Sequence, residues 1–269
     1  MWIEARASRA RNESTPAALP AWIEARAVAC QPPRPQAKLR GVTRLSPGLH
    51  HFTPTLAIHV FDAPEPGPTA LIQAGIHGDE IAGVHALQEL LEEGIRPARG
   101  RLIVVPVMNP AAYRARQRCA PGGLDLNRCF PGDADAPEPE RRLARRFMDL
   151  VLTERPALMA TLHESHKRYD PAVTPSFGQT LVYGVDPMPE IVPRILARLN
   201  ARFTGDNERW DPQFYPVATS STEVIVAATG CVGLCVETWM GFVEARRVEM
   251  QRSVVELLLD DLGVRPLSA

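Results

Sequence analysis

The stretch Ala70-Leu-Ile-Gln-Ala-Gly-Ile-His-Gly-Asp-Glu80 decides the fold. Ala70 to Ala74 is a short apolar run that breaks at Gly75. Beyond it, Ile81, Val84, Leu87, Leu90 and Leu91 recur at helical spacing, which predicts a helix from Ile81 to Glu93. His77 and Glu80 therefore stand where a buried strand turns into a helix. In open α/β sheets, ligands bind at that place, beyond the carboxyl ends of the strands. An imidazole and a carboxylate three residues apart can hold one metal ion, and zinc accepts that pair with a third side chain. The spacing takes its meaning from this location and from the residues downstream.

Working outward, Leu56 to Phe61 reads as a strand and the Pro-rich Asp62 to Pro68 as a turn. Arg101 to Val107 is β-branched and apolar, hence a further strand. A long polar, Gly-containing loop runs from Asn109 to Pro137, and a loop of that length inside a compact domain points to function. Helical periodicity returns over Glu138 to Leu152. Leu158 to Leu162 is strand-like and ends on His163. Gln179 to Tyr183 reads as a short strand and Met188 to Phe203 as a helix. Glu223 to Thr229 is apolar and fits helix or strand equally. Gly233 to Val236 is a buried strand ending on Glu237, and Val243 to Leu262 closes the chain as an amphipathic helix. Alternating strands and helices imply an α/β class: a three-layer single domain, its sheet mixed but mostly parallel, with helices on both faces. Residues 1–40, rich in Ala, Arg and Pro, read as a peripheral or flexible lead-in to a catalytic domain at 41–269. Trp2-Ile-Glu-Ala-Arg-Ala7 recurs as Trp22 to Ala27, with no chemistry attached to it.

Bulk properties exclude several classes. The net charge is −1 with no basic block, so no nucleic-acid partner is expected. No apolar run approaches the ~20 residues of a membrane helix, so no membrane partner is expected either. Five cysteines, at 30, 119, 129, 231 and 235, are odd in number and lack the spacing of a disulfide framework or a cysteine-based zinc site. They point to a cytoplasmic setting.

Three strand ends present polar residues: His77 with Glu80, then His163, then Glu237. His77, Glu80 and His163 would hold one zinc ion and leave a fourth position open. Glu237 could then take a proton from water and pass it to a leaving nitrogen. His166 is the rival third ligand; His163 is preferred because it directly ends a rigid strand. Glu237 could instead cap the next helix or pair with Arg246 or Arg247. In the loop, Asn127 and Arg128 follow Arg118, and a guanidinium can hold a carboxylate through two parallel hydrogen bonds. A second guanidinium can stabilise an oxyanion. The alternative is a solvated basic loop, since Arg114, Arg116 and Arg118 alternate.

The order His77-Gly-Asp-Glu80, Asn109-Pro110, Asp125-Leu-Asn-Arg-Cys-Phe-Pro-Gly132, Leu162-His163 and Val236-Glu237-Thr238 resembles the zinc metallocarboxypeptidase superfamily. That group spans carboxypeptidase A-like peptidases, murein peptide amidases and the succinylglutamate desuccinylase/aspartoacylase deacylases. The resemblance implies a zinc carboxypeptidase-like, phosphorylase/hydrolase-like fold. It implies His77, Glu80 and His163 as ligands of one zinc, and Glu237 as general base and acid. It further implies Arg118 polarising the scissile carbonyl, Asn127 and Arg128 holding a substrate carboxylate, and Tyr215 near the substrate's terminal residue. The substrate would be a peptide or N-acyl amino acid with a free carboxylate. Many of the deacylases carry a further C-terminal β-rich domain, whereas 32 residues follow Glu237 here (269 − 237). A carboxypeptidase-like metallopeptidase is therefore the first expectation. An N-acyl amino acid deacylase is the second, and a non-catalytic carboxylate-binding homologue is the alternative of another class.

Overall fold

Residues 43–264 are described by the structure, a computed structural model. The expected lead-in at 1–40 and the repeated hexapeptide lie outside the described residues.

Ala70 to Ala74 does form a buried strand, and its alternate residues serve both sides of one sheet. The strand, β3 (Glu65–Ala74), lies between β4 (Arg99–Val105) and β5 (Leu158–Ser165), parallel to both. Beyond β5 comes β8 (Val232–Trp239), also parallel. These four central strands are near-continuously apolar, as strands covered on both faces must be. Antiparallel neighbours flank them: β2 (Ala57–Asp62) and then β1 (Gly48–His51) at one edge, β6 (Thr180–Tyr183) and then β7 (Asp211–Phe214) at the other. The order across the sheet is β1-β2-β4-β3-β5-β8-β6-β7.

One face is covered by α1 (Ala82–Glu92), α4 (Ile191–Arg202) and α6 (Glu244–Asp261). There Ile72, Leu87, Ile195 and Leu258 share one core. The other face is covered by α3 (Pro139–Glu154) and α5 (Ser221–Thr229), with Leu71, Phe147 and Ile225 in a second core. The expected three-layer α/β arrangement is thus present. α2 (Pro110–Ala115) and a single 3-10 turn at Leu126–Arg128 break the long loop that was read as irregular.

One further reading is corrected and one open alternative is resolved. Asp62 to Pro68 is not wholly a turn, because β3 begins at Glu65. A register shift between Glu65 and Thr69 lifts Pro66 to Pro68 from the regular ladder, which is how a strand tolerates proline. Glu223 to Thr229, left open, is helical.

Candidate metal centre and active site

β3 ends on Ala74, and Gly75 turns the chain with φ +62, a conformation L side chains resist. Gly78 comes so close to α2 that a Cβ would lie 2.0 Å from the Ala112 carbonyl. The tight turn places His77 and Glu80 over the carboxyl end of β5, where His163 rises from the sheet. Nδ1 of His77 lies 2.7 Å from one Glu80 oxygen, and Nδ1 of His163 lies 2.7 Å from the other. All three residues are buried, and their ligand atoms lie within 4.8 Å of one another.

Two imidazole nitrogens and a carboxylate, converging in a buried site, fit a zinc ion that keeps one position open. His163, Cys235 and Glu237 also group within 4.8 Å, and burial pushes the Cys235 thiol well up. His166 is exposed beyond the end of β5, apart from this cluster, with its carbonyl accepting from the Trp239 indole.

The electrostatics suit a cation. Burial works against charge on both imidazoles. At His77 the Glu80 and Asp125 carboxylates outweigh it and raise the pKa to about 9; at His163 burial prevails and the pKa falls. Burial also opposes charge on Glu80, yet the two imidazoles hold it well below the ordinary carboxylate range. Metal binding at such a set is coupled to release of the His77 proton.

Asp125, which the sequence reading left without a role, is the hub of the second layer. Its Oδ1 lies 3.3 Å from His77 Nε2 and accepts from the Asn127 backbone N–H at 2.9 Å. Its Oδ2 accepts from Arg118 Nε and Nη2 at 3.2 and 2.9 Å. A carboxylate on the second nitrogen of a ligating histidine fixes the tautomer and the ring orientation. The aspartate was visible inside Asp125-Leu-Asn-Arg128, but its partner lies 48 residues away. Arg118 is drawn over the cluster, with Nη1 3.5 Å from Glu80 and 3.3 Å from His77 Nδ1. Its side chain is 47% exposed but ion-paired, whereas its neighbour Arg116 stacks on Tyr113.

Asn127 is buried; its Oδ1 accepts from both the backbone N–H and the hydroxyl of Ser221 at 2.9 and 3.1 Å, which leaves its NH2 to donate elsewhere. Arg128 is exposed, and no carboxylate among the described residues pairs with it. Glu237 sits directly opposite His163 in the β5–β8 register. It caps no helix, and Arg246 and Arg247 are engaged with Glu208 and Glu164 instead. Desolvation and then the Glu80 carboxylate push it up to about 8, and a nearby dication would oppose that shift. Tyr215 follows β7 and packs its ring on Phe177, 4.9 Å between centroids; no hydrogen bond or ring contact among the described residues joins it to the cluster.

The sequence reading also missed a support built from the last helix. Gln251 of α6 donates to the His163 carbonyl at 2.7 Å and to Thr238 at 3.0 Å. Glu164, beside His163, accepts from the backbone N–H of Ala82 at 2.9 Å and pairs with Arg247 of α6. The strand carrying His163 and the helix start following Glu80 are thereby joined.

Residues 66–167 match the succinylglutamate desuccinylase/aspartoacylase catalytic domain. The chain is 39% identical over 106 residues to the N-alpha-acetyl-L-2,4-diaminobutyric acid deacetylase of Halomonas elongata, covering 39% of this chain and 30% of that protein. It is 38% identical over 109 residues to the succinylglutamate desuccinylase of Burkholderia thailandensis, covering 39% and 28%. The chain thus spans less than a third of the length of either relative in these matches. Among solved structures, it is similar to the cell shape determinant Csd4 of Helicobacter pylori, a D,L-carboxypeptidase. That likeness has a TM-score of 0.70 and 19% identity, covers 79% of this chain and 57% of that one, and speaks for the fold alone. The chain is thus similar, over residues 66–167, to the succinylglutamate desuccinylase/aspartoacylase catalytic domain, and it shares the α/β fold of its carboxypeptidase-like structural neighbours.

Proposed function

We propose that this chain is a zinc-dependent amide hydrolase that removes the acyl group from an N-acyl amino acid with a free carboxylate. The observation that carries it is the buried convergence of His77 and His163 on Glu80, with Glu237 opposite His163 and Arg118 above. A homologue that only held a carboxylate would have no use for a glutamate at that place. The relatives matched in sequence are deacylases, which moves this reading ahead of the carboxypeptidase-like peptidase favoured from sequence. Peptidase action is the second reading; it asks the same of these residues and differs in what lies on the acyl side.

His77, Glu80 and His163 would hold the ion, which supplies the positive charge that makes water acidic near neutral pH. Arg128 and the Asn127 amide hold the substrate carboxylate and so fix the scissile amide over the cluster. Arg118, kept in place by Asp125, donates to the carbonyl oxygen as negative charge grows there. Glu237 takes the proton of the attacking water and delivers it to the leaving nitrogen. Tyr215 stays a proposed substrate contact, dependent on movement of its loop. The four described cysteines are unpaired, which supports a cytoplasmic setting. No helix among the described residues is long and apolar enough to cross a membrane.

The test is mass spectrometry on a pool of N-acyl amino acids, short peptides and murein-type peptides, incubated with zinc-loaded protein with and without chelator. Chelator-sensitive loss of acyl groups is expected. Release of C-terminal residues would move the chain to the peptidase reading, and no turnover by zinc-loaded protein would contradict both.

A further inference from the structure

Gln73 is wholly buried between Ile72 and Ala74 of β3, four residues before His77. An aliphatic side chain would serve packing there, and a buried amide costs free energy unless its polar atoms are bonded. Half of this amide is bonded and half is not. Nε2 donates to the Ser221 hydroxyl at 3.1 Å, whereas Oε1 has no hydrogen-bond partner among the described residues. The bond made by Nε2 is what the buried amide gains.

That bond belongs to a row beneath the site. Gln73 stands beside Thr161 in the β3–β5 register, and Thr161 beside Cys235 in the β5–β8 register. The row crosses the sheet two residues below His163 and Glu237. The first turn of α5 seals it, with Ser221 on Gln73 and the Thr222 hydroxyl 3.0 Å from that of Thr161.

One backbone group fixes the sense of the bonds from Gln73 to Asn127. Ser221 opens α5, and its N–H has no partner within the helix and can only donate. It meets the Asn127 side chain at 2.9 Å, so the atom facing it is Oδ1. Oδ1 can only accept, so the Ser221 hydroxyl, 3.1 Å away, donates to it. The proton of that hydroxyl is then committed, and its oxygen accepts from Gln73. The Asn127 NH2 is the open end of the chain, and no described residue accepts from it. The Asn127 backbone N–H meanwhile donates to Asp125, which touches His77, so this amide borders the ligand cluster.

Resting on the hydrolase reading above, we infer that Gln73 is a positioning residue for the substrate carboxylate. Through the Ser221 hydroxyl it fixes the Asn127 amide so that the NH2, and not the carbonyl, meets the carboxylate. Without Gln73 the Ser221 hydroxyl is free to turn, and without that hydroxyl Asn127 keeps one bond of two.

The zinc-loaded full chain should be assayed with Nα-acetyl-L-alanine and with its primary amide, which presents no carboxylate. A hydrogen bond to a charged group is worth about tenfold or more, so Arg128 and Asn127 together should favour the acid by about a hundredfold in kcat/KM. In Gln73→Met and in Ser221→Ala, each checked for one zinc per chain, that preference should drop by about tenfold, through KM on the acid. Lost packing would slow both compounds alike and leave the ratio unchanged. Calorimetric titration of zinc-loaded Glu237→Gln with both compounds, with and without Gln73→Met, reads the same preference in the absence of turnover. A binding preference that Gln73→Met lowers, with no turnover of either compound by the wild type, would sink the hydrolase reading and leave the positioning role standing. A ratio that holds in either zinc-loaded variant, or equal or absent binding of both compounds, would overturn that role.

Discussion

Arg247→Met removes one half of a buried ion pair while keeping the length of the side chain. Glu164 is fully buried at its side chain, and Arg247 is 13% exposed there. After the change, Glu164 keeps only the Ala82 N–H at 2.9 Å and the Thr238 hydroxyl at 3.4 Å. Orphaning a buried charge costs roughly 3–5 kcal/mol. Burial already holds the pKa of Glu164 above the usual value even with Arg247 present, so the variant escapes part of that cost by taking up a proton. The expected loss is therefore at the low end, about 3 kcal/mol at pH 8. With a urea slope of about 2 kcal/mol/M, the midpoint should fall by roughly 1.5 M. The sign with pH follows from the same proton. A carboxylate whose folded pKa is raised weakens the fold above its unfolded value, so the deficit should shrink as pH falls from about 8 to 5. Glu164→Gln combined with Arg247→Met should recover most of the loss, since neither charge is then left alone. A loss under about 1 kcal/mol, or one that does not change with pH, would refute the reasoning.

Other outcomes follow from the same geometry. Asp125→Asn should weaken zinc binding about 10–100-fold in a competition titration, because His77 loses its orienting carboxylate and Arg118 its anchor. Unchanged affinity would remove Asp125 from the site. Glu237→Gln should keep its zinc and lose about 10²–10⁴-fold in kcat, measured on whichever acyl amino acid the wild type cleaves; full activity would mean the base lies elsewhere. Glu223 shows the opposite behaviour to a salt-bridged carboxylate. Its pKa is raised from 4.5 to about 7, so it costs the ligand-free protein stability progressively between those values as pH rises. Urea midpoints of Glu223→Gln should therefore gain on the wild type across that window and stay level with it below.

What the sequence disclosed depended on how local the deciding contacts were. β3 and α1 were legible because an apolar run and a helical period each describe their own burial, from Ile72 to Leu90. His77 and Glu80 were legible because one turn holds both. α5 was not: Val224 to Ala228 is apolar throughout, and its helical state goes with distant contacts such as Thr222 on Thr161. β7 escaped because it is an edge strand with Pro212 and alternating exposure, with no apolar run to mark it. The support around the ligands was hidden for a similar reason. Arg247 meets Glu164 across 83 residues and Gln251 meets His163 across 88, and neither spacing leaves a pattern in the chain. Arg118 was ambiguous among alternating arginines until Asp125 singled it out.

His77, Glu80 and His163 are proposed to hold one zinc ion. The most direct test is metal analysis of the full chain, dialysed against limiting zinc, beside His163→Ala and His166→Ala. One zinc per chain is expected in the wild type and in His166→Ala, and little in His163→Ala. Zinc retained by His163→Ala and lost by His166→Ala would contradict that assignment.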